Sequence, residues 1–138
     1  MLRRSCVVVL LVLLVSACGG ESQTSTPATP AGETGAKVLI TTDCAGDVIL
    51  EKGVDAGQTA MRALDRVAEI ETDSGGKFVT AINGVEQDTD KKVAWLYYIN
   101  GKAAAKGATE TRLAAGDVEW WDLHNYEQEC AVVPPAAR

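Results

Sequence analysis

Two apolar β-runs end in the same dipeptide: Phe78–Ile82 runs into Asn83-Gly84, and Val93–Ile99 runs into Asn100-Gly101. Asn and Gly tolerate positive φ at adjacent positions, the requirement of a tight antiparallel hairpin turn. This half of the chain is therefore predicted to be antiparallel sheet. The earlier half adds an opening hairpin. Lys37–Thr42 is β-rich, residues 43–47 (DCAGD) read as a turn, and Val48–Glu51 as the returning strand. Between the halves, Ala60, Met61, Leu64, Val67 and Ala68 recur at helical spacing, with Asp55 and Gln58 at capping-box separation and Asp55 as N-cap. Glu69 and Ile70 are assigned to the helix end, and Gly75-Gly76 follows it. A short strand over 109–113 and another over 118–123 complete the order ββαβββ(β). The fold class is α+β, with one helix packed on a mostly antiparallel sheet.

The N-terminus sets location. Arg3-Arg4 precedes an apolar run from Cys6 to Val15, closed by Ser16-Ala17-Cys18. The run is too short to span a bilayer, which needs about 20 residues. The arrangement resembles a bacterial lipoprotein signal peptide. That resemblance implies cleavage after residue 17 and acylation of Cys18 at the extracytoplasmic face of the cell membrane. A plain signal peptide and an uncleaved anchor are the alternatives. Residues 18–36 form a Gly/Ser/Thr/Pro tether, residues 37–133 the globular domain, and 134–138 a tail. Cleavage removes two arginines and no acid, leaving eleven basic against nineteen acidic residues, a charge near −8. A surface of this sign excludes nucleic acid as a partner and gains nothing from anionic headgroups, so acyl chains must supply the membrane attachment.

With Cys6 cleaved away and Cys18 acylated, Cys44 and Cys130 are the thiols left to the domain. A disulfide between them ties the start of the domain to its end in a compartment where such bonds persist. Two free thiols, or a metal site with the lone His124, are the alternatives. Short paired zinc spacings are missing, and no metal is expected.

No constellation supports catalysis. One histidine, no nucleophile elbow and no phosphate loop leave nothing to build an enzyme site on. Asp88 and Asp90 make too short a motif for calcium. Glu119 and Asp122 are read as solvent-facing or strand-end charges, and His124 as a surface residue. The aromatic residues are the informative set. Trp95, Tyr97 and Trp120 are assigned to the core. Tyr98 and Trp121, on the opposite strand faces, are the candidates for a ligand platform, with a second core layer as the alternative. Asn83 and Asn100 serve turn geometry or offer loop contacts to the same ligand.

Residues 78–85 (FVTAINGV), 95–102 (WLYYINGK) and 113–121 (LAAGDVEWW), preceded by the helix start at 57–64, together resemble the DUF4430 family. That family is related to the C-terminal domain of the vitamin B12 carriers transcobalamin and intrinsic factor. The resemblance spans roughly Val38 to Tyr126. It implies a small β-grasp-like fold and a non-enzymatic module that binds a small molecule, with a corrinoid (cobalamin) as the specific suggestion. Such a module would capture ligand at the surface or pass it to a membrane transporter. The other expectation is a protein-interaction module of a surface or envelope complex, docking by an edge strand or an apolar patch.

Overall fold

The computed structural model describes residues 35–73 and 75–130. The signal segment, Cys18, most of the tether, the last three residues of the expected domain (131–133) and the tail lie outside the described residues. Among the described residues, no helix is long and apolar enough to cross a membrane.

The opening hairpin is β1 (Gly35–Thr42) against β2 (Asp47–Asp55), antiparallel, with a register shift between Ile40 and Thr41. β1 starts two residues earlier than its sequence pattern indicates. The helix α1 (Ala60–Val67) is capped by Thr59, whose side chain accepts from the Arg62 amide at 3.3 Å. Asp55 is not the cap, because it ends β2, and the Gln58 side chain instead donates to the Asp55 carbonyl at 2.8 Å. Ile70 does not finish the helix either. It opens a further strand, β3 (Ile70–Asp73), antiparallel to β4 (Phe78–Ile82). That strand escapes the sequence pattern because three of its four residues are polar and exposed.

Both Asn-Gly pairs form the turns their chemistry requires. Asn83 and Gly84 have φ of 48° and 77° between β4 and β5 (Val85–Glu86). Asn100 and Gly101 have φ of 51° and 77° between β6 (Val93–Ile99) and β7 (Lys102–Ala103). Residues 109–113 form no strand, making one isolated bridge between Thr59 and Arg112. The chain then enters β8 (Val118–Asn125).

β8 inserts between β1 and β6, giving the order β2-β1-β8-β6-β7. It runs parallel to β1 and antiparallel to β6. A smaller sheet, β3-β4-β5, stands apart. One face of the large sheet buries Val38 and Ile40 of β1, Trp121 of β8 and Trp95 of β6 against Ala63 and Leu64 of α1 and Val79 and Ile82 of β4. This is the hydrophobic core, and β-branched and aromatic side chains alternating along each strand supply it.

Candidate functional site: an aromatic groove and a buried polar face

The register of β6 against β8 decides which aromatic groups meet. Tyr97 pairs with Trp121, and Tyr98 with Trp120. Trp95, Tyr97 and Trp121 therefore share the core face, while Tyr98 and Trp120 share the reverse face. The sequence reading grouped Trp120 with Trp95 and Tyr97. Alternation within each strand was right, but only the pairing between strands fixes their relative phase.

Trp121 is buried and stacks on Tyr97, ring centroids 5.0 Å apart and planes at 21°. A groove of about 410 Å³ opens beside this stack, between the edge of β6 and the start of β4. Phe78, Trp95, Tyr97, Tyr98, Ala108 and Trp121 are among its lining residues. Phe78 is 64% exposed, a large apolar surface at the mouth. The Trp95 indole donates to the Val85 carbonyl at 2.9 Å, which fixes its ring against the smaller sheet. The Tyr97 hydroxyl bonds the Lys106 carbonyl and the Thr111 hydroxyl, and burial pushes its pKa above the ordinary phenol value. The volume and the apolar lining fall in the range of small-molecule pockets.

Tyr98 and Trp121 of the sequence-derived set both border the groove, but they do not form one platform: Trp121 faces it from the core side, while the Tyr98 ring lies on the reverse face against Trp120 and His124. Asn83 and Asn100 do not line it. Asn83 Oδ1 accepts from the Glu69 amide at 3.0 Å. Asn100 bridges the Val118 amide (2.9 Å) and Asp117 Oδ1 (2.8 Å). Both side chains are engaged in tying their turns to distant segments, Asn83 to the entry of β3 and Asn100 to the entry of β8. Phe78 and Ala108 were not singled out from the sequence, since nothing local ties either to Trp121.

A larger cavity of about 840 Å³ lies where the chain enters β1, bordered by Gly35, Gly53 and Gly116 with Lys37, Asp55 and Arg66. It contains no aromatic side chain, so size alone does not make it the better ligand site.

Burial corrects three expectations. Glu119 and Asp122 are fully buried and His124 is 4% exposed, so none is a surface charge. The parallel register sets Thr41 opposite Asp122. Asp122 Oδ2 accepts from the Thr41 hydroxyl and from the Ala45 amide at 2.9 Å. Its Oδ1 accepts from the Cys44 amide at 3.0 Å and lies 2.7 Å from His124 Nδ1. The Trp120 indole donates to Thr41 Oγ1 at 2.6 Å. Burial of a carboxylate is tolerated where its oxygens are hydrogen-bonded in this way. Asp43, Cys44 and Ala45 all have positive φ (54°, 56° and 64°). A left-handed run costs roughly 1–2 kcal/mol per non-glycine residue, and the bonds to Asp122 oppose that cost.

Cys44 and Cys130 form a disulfide across this face, Cα atoms 5.2 Å apart. The pairing expected from the sequence is present.

Glu119 points to the core face instead. The Trp121 indole donates to its Oε1, and its Oε2 has no partner among the described residues. Burial raises its pKa to about 8, only partly opposed by the Trp121 hydrogen bond.

Two solved structures share the fold. A protein from Ruminococcus gnavus, provisionally described as metal binding, is 20% identical over 67% of this chain and 98% of its own, with a TM-score of 0.53. Haptocorrin in complex with Cbi is 14% identical over 68% of this chain, also with a TM-score of 0.53. The match takes in 26% of haptocorrin, so this chain corresponds to about a quarter of that protein. No curated protein matches by sequence. The family described as Domain of unknown function (DUF4430) matches residues 57–125, the helix through β8, and the chain belongs to that family.

Proposed function

We propose that this chain is a lipid-anchored, extracytoplasmic binding module that captures a small molecule in the groove beside Tyr97 and Trp121. The observation that carries the reading is the groove itself: an apolar recess of about 410 Å³ with a stacked aromatic wall and an exposed Phe78 at its mouth. A planar or largely apolar ligand suits such a wall, since stacking adds about 0.5–1.5 kcal/mol per ring pair beyond buried area. The fold shared with haptocorrin supports a corrinoid as the first ligand to try. The frame is read as β-grasp-like, with parallel β1 and β8 at the centre of the large sheet. The module carries no catalytic function in this reading. Acylated Cys18 holds it at the outer face of the cell membrane, and captured ligand passes to a transporter.

The test is equilibrium dialysis of the full chain, in detergent, against cobalamin, repeated with Phe78→Ala and Tyr97→Ala. Saturable binding that weakens in both variants supports the reading. No uptake at high-micromolar ligand removes the corrinoid.

One observation favours a second reading, docking of an extended peptide. Val93 exchanges both backbone hydrogen bonds with Asp88, and the Tyr97 carbonyl accepts from the Ala104 amide. By strand alternation, the Trp95 amide and carbonyl between them point to the same open edge. Among the described residues they have no backbone partner there. An added strand would pair with that edge and drop side chains into the groove. A stoichiometric protein partner recovered from solubilised membranes would favour this reading.

A further inference from the structure

The disulfide sits in company that a purely structural cross-link does not require. Cys44, Cys130, Asp122 and His124 each offer one ligand atom, and these four atoms lie within 4.8 Å of one another. The residues come from three places: the β1–β2 turn, the reverse face of β8, and the segment after β8. Asp122 and His124 are two apart on a strand and so project to the same side. Both are buried, and the two half-buried cysteines lie beside them.

We propose that opening the Cys44–Cys130 disulfide converts this cluster into a binding site for a zinc-class divalent ion, so that oxidation state decides whether the closing element is a covalent bond or a metal. The donor set is two thiolates, one imidazole and one carboxylate oxygen. That combination fits a tetrahedral, borderline-soft ion, and the number of donors fills its shell. In the oxidised chain the two sulfurs are bonded to each other and the site is closed to metal.

The chemistry balances with a dithiol as reductant. Two electrons and two protons pass from the dithiol to the disulfide, giving two cysteine thiols and the reductant's own disulfide. Metal binding then releases the two thiol protons as two metal–sulfur bonds form. A disulfide oxidant reverses both steps and expels the ion.

The frame is built to survive reduction. Cys44 is held independently of its sulfur, because its amide and that of Ala45 bond the Asp122 carboxylate, and the Asp43 amide bonds the Leu123 carbonyl at 3.0 Å. On the other side, Glu127 is held by a 2.9 Å bond from its amide to Asn125 Oδ1 and by a 2.6 Å ion pair with Lys92. Cys130 is only three residues further on. Three ligands, Cys44, Asp122 and His124, are therefore held by bonds of their own when the sulfurs part, and Cys130 stays tethered within three residues of Glu127.

The experiment is a titration of the full chain, in detergent and without oxygen, with Co²⁺ as spectroscopic probe and Zn²⁺ as competitor. The reduced wild-type chain should bind one equivalent and develop a thiolate-to-cobalt charge-transfer band, while the oxidised chain should not. Cys44→Ser should lose the band; this variant also reports any binding by Cys6 or Cys18. His124→Ala, checked for folding by circular dichroism, should bind at least tenfold more weakly than wild type. Addition of a disulfide oxidant should release the ion in step with loss of free thiol. The proposal is overturned if His124→Ala binds as tightly as wild type, if the oxidised chain binds equally well, or if the reduced chain loses its fold and metal does not restore it.

Discussion

Tyr97 and Trp121, paired across β6 and β8, stack with their ring centroids 5.0 Å apart and so form both part of the core and the wall of the groove. This double duty separates two kinds of substitution. Trp121→Ala removes a buried ring from the centre of the sheet and is expected to destabilise the fold by about 3–5 kcal/mol. Phe78→Ala removes an exposed ring at the mouth and should change stability by no more than about 0.5 kcal/mol. Urea unfolding followed by circular dichroism checks both. A small effect of Trp121→Ala would contradict its place in the core.

Asp122 is the anchor of the left-handed turn. Asp122→Ala leaves the Thr41 hydroxyl, two turn amides and the His124 ring without their acceptor. Each abandoned buried group costs about 1–3 kcal/mol, so the total loss should exceed that of an average core truncation. Hydrogen exchange should also quicken at the Cys44 and Ala45 amides. Unchanged exchange there would refute the anchoring role.

Glu119 makes stability depend on pH in a defined sense. Its pKa in the folded chain is raised by burial to about 8, against 4.5 for the free group. Below 4.5 both states hold the proton and nothing is lost. Between 4.5 and about 8 the unfolded chain ionises first, so stability falls as pH rises, by roughly 1.4 kcal/mol per unit. Above about 8 both states are ionised and the slope disappears. Glu119→Gln removes this contribution. The stability difference between the variant and wild type should therefore grow in the variant's favour from pH 5 to pH 8 and then level off. A flat difference across that range would place the carboxyl in contact with water.

Reduction tests the covalent closure. The disulfide joins residues 86 positions apart. A loop of that size confers about 4–5 kcal/mol on the chain-entropy account. Cys130→Ser should lower the unfolding midpoint accordingly and leave the spectrum of the folded state unchanged in metal-free buffer. A loss below about 1 kcal/mol would mean that the turn's bonds to Asp122 alone hold this end of the domain.

Local signals carried much of the architecture. Both Asn-Gly turns, helix α1, the opening hairpin and the β6 and β8 runs were legible, because each rests on neighbours in sequence. The failures were also local in origin. Polar β3 has no apolar alternation to betray it, and the spacing of Asp55 and Gln58 mimicked a cap that Thr59 provides.

The sequence by itself determined the strands that carry apolar alternation, which dipeptides turn them, and which two cysteines could close the domain. Tertiary structure alone decided the chemistry of the faces. Insertion of β8 between β1 and β6 brings Thr41 against Asp122, 81 positions away, and fixes Trp121 rather than Trp120 beside Tyr97. A strand's alternation says that its residues divide into two faces. Which face is buried, and which aromatic meets which, depends on pairing register, and register is a property of contacts between distant segments.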